Sequence, residues 1–395
     1  MASRNETAWN RRPQLPASHV VASSHYNDED VYRDERERLF GRVWILVGHE
    51  SEFPGRYDYR TTEKAGTPLV LVRGEDDRIR AFINVCSHRG GRLVNERSGN
   101  AKVFTCFYHR WTYDTKGGCI NIPRPEGYQA VGMKAADYGL REVRTAVKFG
   151  LVFLNFDDAA MSLDDYLEGA LDPLEEALAT APLEIFHYQR SELEANWKSW
   201  VETNLDAYHT GMHYLLRKTQ VDSERRIRLT PGGHGMTGGM KQKYNQYADW
   251  RRREDTLALP GMDANEMRNV HLFPNASILT RGTAVRIDTI SPAGPGRTIV
   301  ECRGLGVKGD SEEARRKRMA HHNQYWGPLG RNLPEDALAA ELCAKSYRTG
   351  HSPWQVIARD ENLTGQDDGM MRAFYARWSR MTGRPLSPGE TKGMA

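Results

Sequence analysis

Four residues constrain this chain more than any others: Cys86 and His88, two positions apart, and Cys106 and His109, three apart. The local sequences are Cys86-Ser87-His88-Arg89-Gly90 and Cys106-Phe107-Tyr108-His109-Arg110-Trp111, and 17 residues separate His88 from Cys106. That connection is long enough for a strand and its turns to bring the chain back to the same place. Each short segment carries one thiol and one imidazole. Zinc sites built from two Cys and two His commonly pair like ligands within a turn. Mixed pairs suit a [2Fe–2S] cluster instead, with thiolates on one iron and imidazoles on the other, which raises the potential of the imidazole-bound iron.

The surrounding sequence fits a small β unit. Short β-branched and aromatic runs at 43–47, 69–72, 81–85, 103–107 and 152–156 are separated by Gly, Asp and Asn. They predict an antiparallel β domain over 44–156. Residues 1–26 read as a loose arm, and Asn27 as the cap of a helix reaching Phe40. This 1–43 segment is expected to pack with the domain that follows the β unit. From Ser162 the pattern changes. Residues 162–180 and 194–220 read as helices, and 231–240 (PGGHGMTGGM) as a loop. Strands are expected at 276–279, 285–290 and 298–302, then helices at 311–327, 334–345 and 367–381. The fold class is α+β: the small antiparallel domain precedes a larger one, 157–395, in which helices flank an antiparallel sheet. A chain of 395 residues has ample length for both.

Charge excludes some partners. The net charge is only +3, with both signs mixed along the chain, which argues against a nucleic-acid or membrane footprint. No apolar run has bilayer length. The polar N-terminus lacks the apolar core of a secretory signal. Five cysteines make no disulfide framework in a chain this long, which fits a reducing cytoplasm. Cys119, Cys302 and Cys343 are expected to be buried free thiols.

A second constellation follows at Asn196-Trp197-Lys198 and Glu202-Thr203-Asn204-Leu205-Asp206-Ala207-Tyr208-His209-Thr210-Gly211-Met212-His213. On a helix, Asp206, His209 and His213 fall at i, i+3 and i+7 and share one face, with Glu202 a turn earlier. Two histidines one turn apart can chelate one metal. Adding a carboxylate gives the facial triad of non-haem Fe(II) oxygenases, with positions open for O₂. Local spacing allows Asp206 to be that carboxylate.

With both constellations, the chain resembles, over nearly its whole length, the catalytic α subunit of the Rieske non-haem iron ring-hydroxylating oxygenases. The cluster motif, Asn196-Trp197-Lys198, the Asp206-x-Tyr208-His209 segment, Phe273-Pro274-Asn275 and Met371-Arg372-Ala373-Phe374-Tyr375 with Trp378 carry the resemblance. Respiratory Rieske proteins usually add a second cysteine to each loop; this chain does not. The resemblance implies that His209 and His213 hold Fe(II), although three residues separate them where the family places four or five. It implies that Asp206 links a cluster histidine, here His109, of one subunit to the iron site of the next. A ring-shaped trimer follows, α3 or α3β3 with a small β subunit. It also implies a ligand carboxylate from a later Glu-Asp-x₄-Glu helix. Glu335-Asp336 through Glu341 fits, which makes Asp336 the ligand, with Asp360 as the alternative.

Electrons are expected from NADH through a flavin-dependent reductase, with or without a ferredoxin, because no Gly-rich dinucleotide fingerprint follows a strand here. The implied activity is O₂-dependent hydroxylation of an aromatic substrate, by cis-dihydroxylation or monohydroxylation; demethylation of a non-carboxylate substrate uses the same ligands. Tyr59-Arg60-Thr61-Thr62, Thr67-Pro68-Leu69-Val70 and the 315–345 region are most similar to oxygenases of aromatic carboxylates, of the benzoate, terephthalate and salicylate kind. Arg217 and Lys218, just after the histidines, are the expected cationic substrate contacts, and 231–240 an expected lid. An electron-transfer protein with a degenerate second site is the rival reading.

Overall fold

The computed structural model describes residues 11–213, 226–241, 257–264 and 266–387. They form two compact units: Gly41–Ala160, and the described parts of Met1–Phe40 and Met161–Ala395. The N-terminal segment therefore belongs with the larger unit. Among the described residues, no helix is long and apolar enough to cross a membrane.

The smaller unit is all antiparallel. Its main sheet runs in the order Ile45–His49, Leu151–Asn155, Glu142–Lys148, Ile79–Ile83, Thr67–Arg73, Asp58–Lys64 and Ser98–Asn100. A second sheet of three short strands comprises Val103–Thr105, Thr112–Asp114 and Cys119–Asn121. Val70, Val72, Phe82, Phe104, Trp111 and Tyr113 fill the core beneath the two cysteine loops. The predicted strands are present, each shifted by a residue or two. That is the usual fate of boundaries read from apolar runs, because turn hydrogen bonds rather than hydrophobicity decide the ends.

The larger unit is built on a second antiparallel sheet. Its order is Leu183–Leu193, Arg297–Val307, Val285–Gly294, Ala276–Thr280, Glu266–Leu272, Gly235–Lys241 and Ile227–Leu229. Helices Trp197–Leu205, Glu312–Trp326, Leu333–Arg348 and Gly369–Thr382 accompany it. Their ends obey ordinary capping rules. Asn196 caps the first through the Lys198 N–H, and Ser311 caps the second through the Ala314 N–H. Pro334 opens the third, and Gly383 closes the fourth at φ 72°.

Several expectations are corrected. The 194–220 helix stops at Leu205, and a 3₁₀ turn, Tyr208–Met212, follows. Asp206 is extended at φ −102°, ψ 103°, and its Oδ1 accepts the Tyr208 N–H at 2.7 Å. That local bond replaces the helical one. The 162–180 helix is broken into Leu163–Leu167 and Glu175–Ala179, with Gly169 at φ 73° and Pro173 between them. The Gly-rich 231–240 stretch is a loop only at its start: Gly235–Lys241 is an inner strand, so no lid is formed there. The helix cap is Asp28 rather than Asn27, accepting from the Asp30 and Val31 N–H groups. Cys119 and Cys302 are buried free thiols as expected, but Cys343 is exposed.

Candidate functional site

The two cysteine loops of the smaller unit are built alike. In the first, Cys86 N–H donates to Gly91 O at 2.8 Å and Gly90 N–H to Cys86 O at 3.0 Å. In the second, Cys106 N–H donates to Trp111 O at 2.8 Å and Arg110 N–H to Cys106 O at 3.0 Å. The fifth residue of each loop is left-handed, Gly90 at φ 73° and Arg110 at φ 61°. Each loop thus turns its cysteine inward. Both sulfurs are buried, whereas His88 and His109 are half-buried above them with ring centroids 4.6 Å apart.

The His88 imidazole is prepared to act as a neutral ligand. His88 stacks on Trp111 at 4.6 Å and 5°. Its Nδ1 is buried without a hydrogen-bond partner among the described residues. Burial first, then His109 and Arg89, hold its pKa below the ordinary value. The Tyr113 hydroxyl lies 3.1 Å from Cys86 Sγ and 2.9 Å from Ser87 Oγ, and burial and then that sulfur push its pKa up. An orphaned buried imidazole nitrogen beside two inward thiols is what a [2Fe–2S] cluster with mixed ligation requires.

In the larger unit, His209, His213 and Asp336 converge. One ligand atom from each lies within 4.8 Å of the others. Asp336 Oδ1 is 3.3 Å from His209 Nε2 and 3.2 Å from His213 Nε2. This Oδ1 is buried and accepts no well-aligned hydrogen bond among the described residues. Two nitrogens and an oxygen whose lone pairs face one point are chemistry for a cation.

The far nitrogens are held by other carboxylates. Glu335 Oε2 lies 2.8 Å from His213 Nδ1, and Asp206 Oδ2 lies 3.7 Å from His209 Nδ1. Such carboxylate–imidazole pairs fix ring orientation and raise ligand basicity. Burial lowers the His209 pKa, but the nearby carboxylates of Asp206 and Asp336 outweigh it and push the value up to about 10. The carboxylates of Asp206 and Asp336 on either side of this imidazole make the pocket strongly anionic. Asn332 Nδ2 donates to Asp336 Oδ2 at 3.2 Å and fixes the carboxylate.

The site residues therefore do not share the helical face that their spacing suggested. His209 lies in the 3₁₀ turn, His213 just after it, and Asp336 in the first turn of Leu333–Arg348. Of the two competing carboxylates, Asp336 stands at the convergence point and Asp206 behind His209. Asp360 is exposed in an irregular segment and outside this group. Arg217 and Lys218 lie outside the described residues. Tyr208 is exposed, with the Arg359 guanidinium carbon 3.7 Å from its ring centroid.

A cleft of about 820 Å³, mouth included, opens beside the trio. Leu205, Ile227, Met267, Leu279, Trp326 and Met370 give it apolar walls. Arg281 and Arg286 also line it. No motif marks these two residues, since their placement depends on the sheet register. Asn332 and Glu335 were more accessible to sequence reasoning, as neighbours of Pro334 and Asp336 at a helix start.

Two families match the chain. The Rieske [2Fe–2S] domain covers residues 43–137, and the ring-hydroxylating alpha subunit catalytic domain covers 180–384. The chain is 42% identical to the 2-aminobenzenesulfonate 2,3-dioxygenase alpha subunit of an Alcaligenes species, over 97% of this chain and 98% of that one. The chain belongs to the Rieske ring-hydroxylating oxygenases, as an α subunit. This oxygenase is also 37% identical to the methanesulfonate monooxygenase hydroxylase alpha subunit of Methylosulfonomonas methylovora, over 98% of this chain and 97% of that one. A quaternary ammonium Rieske monooxygenase shares its fold with a TM-score of 0.78 at 21% identity, covering 93% of this chain and 99% of that one. The cofactors of this oxygenase are a [2Fe–2S] cluster and a mononuclear iron, with O₂ as oxidant and NADH as the electron source through a reductase.

Proposed function

We propose that this α subunit is the terminal component of an oxygenase for a small organic sulfonate, its cluster held by Cys86, His88, Cys106 and His109 and its iron by His209, His213 and Asp336. The convergence of Asp336 Oδ1 with both Nε2 atoms carries the reading of the iron site. The cluster supplies single electrons, and ferrous iron with open positions supplies O₂ activation. The chain's own residues orient and exclude. Glu335 and Asp206 fix the two imidazoles, Asn332 fixes the carboxylate, and the apolar walls keep water from the substrate. Asp206, half-buried behind His209, is the carboxylate left to meet His109 of an adjacent copy in a trimer.

The substrate class rests on two relatives whose names specify sulfonates and on the arginines of the cleft. This replaces the aromatic carboxylate expected from sequence with a different anion of similar size. One relative is a dioxygenase and the other a monooxygenase. Both outcomes are read from one experiment: holoenzyme, a generic reductase, NADH and ¹⁸O₂ with 2-aminobenzenesulfonate, methanesulfonate and, separately, benzoate and 2-aminobenzoate. Products gaining two or one labelled oxygens support dioxygenation or monooxygenation respectively. Oxidation of benzoate-type acids but of no sulfonate would refute the proposed substrate class.

A further inference from the structure

Asn332 stands at the N-cap of helix Leu333–Arg348, where an asparagine side chain ordinarily accepts a backbone N–H of the first turn. Here it makes no such bond. The side chain is 7% exposed and is spent on the metal site instead. Its Nδ2 donates to Asp336 Oδ2 at 3.2 Å and lies 3.5 Å from His213 Nε2. Its own Oδ1 is buried and has no partner among the described residues. The opposite amide orientation would turn that oxygen toward a carboxylate oxygen, lone pair against lone pair. Asn332 therefore forgoes a cap and leaves a buried acceptor unsatisfied, both of which cost stability, in order to hold one oxygen of Asp336.

The two oxygens of Asp336 are made unequal by this. Oδ1 lies 3.3 and 3.2 Å from the Nε2 atoms of His209 and His213 and accepts no hydrogen bond among the described residues. Oδ2 is held on the Asn332 side. His213 Nδ1 lies 2.8 Å from Glu335 Oε2, so the ring proton sits there and Nε2 carries the lone pair. A cation at the convergence point takes that lone pair, which leaves Oδ2 as the acceptor for the Asn332 amide. Asp336 is 4% exposed, so water has little access to compete for this bond. A carboxylate can bind a cation through one oxygen or through both. We propose that Asn332 makes Asp336 a one-oxygen ligand, so that two imidazoles and Oδ1 occupy one face of the iron and the whole opposite face stays open. Asn332 is a positioning residue, acting through Asp336. The inference rests on reading His209, His213 and Asp336 as the iron ligands.

The test is the crystal structure of the holoenzyme, as wild type and as Asn332→Leu, a side chain of similar shape that cannot donate. In wild type, Oδ1 is expected at about 2.0–2.2 Å from the iron. Oδ2 is expected within about 3.2 Å of Asn332 Nδ2 and outside the metal's bonding range. In Asn332→Leu both oxygens bind the metal and iron content is unchanged, while turnover falls by at least ~10-fold. Cobalt(II) placed in the mononuclear site gives the same reading in solution. X-ray absorption at the cobalt edge is free of the cluster's irons, and the short cobalt–carbon distance of a chelating carboxylate appears only in the variant. Asn332→Ser, a good N-cap too short to reach Oδ2, repeats the comparison with the helix start secured. Two-oxygen binding in wild type overturns the inference. One-oxygen binding in wild type and in both variants overturns the role of Asn332, and so does loss of iron from both variants. A wild-type crystal with no metal at His209, His213 and Asp336 overturns the iron-site reading itself, whatever the variants do.

Discussion

Asp206 and Asp336 touch opposite nitrogens of His209, so their substitutions have separable effects. Asp336→Ala removes the one carboxylate oxygen at the convergence point. It is expected to lose the mononuclear iron, leaving the visible spectrum of the cluster intact. Asp206→Asn keeps a side chain of the same shape behind His209. It is expected to retain iron while turnover falls by at least ~10-fold, the usual effect of removing an outer carboxylate. Iron analysis beside steady-state rates checks both. Loss of iron in Asp206→Asn but not in Asp336→Ala would reverse the two roles. In the smaller unit, the Tyr113 hydroxyl beside Cys86 Sγ stabilises charge on that sulfur. The reduced cluster carries more negative charge, so Tyr113→Phe is expected to lower its reduction potential, read in a redox titration of the intact enzyme.

At the scale of elements, the paired cysteine loops show what sequence discloses and what it conceals. The four proposed cluster ligands stood out in the sequence because their chemistry and spacing are unusual. The likeness of the loops was not, because one uses Gly90 and the other Arg110 at the same left-handed position. An ideal Cβ on Gly90 meets nothing within 4 Å, so Gly90→Ala incurs only the backbone penalty. It is expected to destabilise the folded protein by about 1–2 kcal/mol with an unchanged cluster spectrum, as thermal unfolding of the holoprotein will report. The helix around His209 was misread for a related reason. Helical spacing is a pattern of side chains, whereas Asp206 ends the helix through its own bond to the Tyr208 N–H. The inner strand Gly235–Lys241 went unseen because its glycines carry no strand propensity; pairing with Glu266–Leu272 imposes the conformation. Arg281 and Trp326 are 45 positions apart in the chain and belong to a turn and a helix end. Only tertiary structure brings them to one cleft.

At the scale of the whole chain, the larger unit buries an unusual set of ionisable groups, and these set its response to pH. Lys198 and Glu35 pair at 2.5 Å with no exposure, and the Trp197 and Trp378 indoles each donate to Glu35 at 2.8 Å. This network ties the N-terminal helix to the helices that carry the family's sequence signature. His25 packs beside it. Burial, then Lys198, hold His25 down to about 4. Burial likewise holds His271 and His322 down to about 3. Their folded values lie below the unfolded value of 6.5, so the unfolded chain binds more protons in this range. Their contribution is fully present above pH 6.5 and is lost as pH falls toward 4 and then 3. Glu202 acts in the opposite sense. Burial raises it to about 7 against bonds from the Tyr26 and Tyr375 hydroxyls, so its contribution is present below pH 4.5 and lost as pH rises through 7. The two effects oppose each other between pH 4.5 and 6.5, and only the histidines act below that. Three histidines outweigh one carboxyl, so the melting temperature is expected to decline throughout as pH falls from 6.5 toward 3. His25 alone accounts for roughly 3 kcal/mol, or about 10 °C in a unit of this size. His25→Gln retains a donor for the Pro385 and Leu386 carbonyls, which His25 Nε2 now meets at 2.9 and 3.1 Å. Its melting temperature should match wild type at pH 8 and exceed it at pH 4; a parallel decline in both proteins would show that His25 does not drive the acid response.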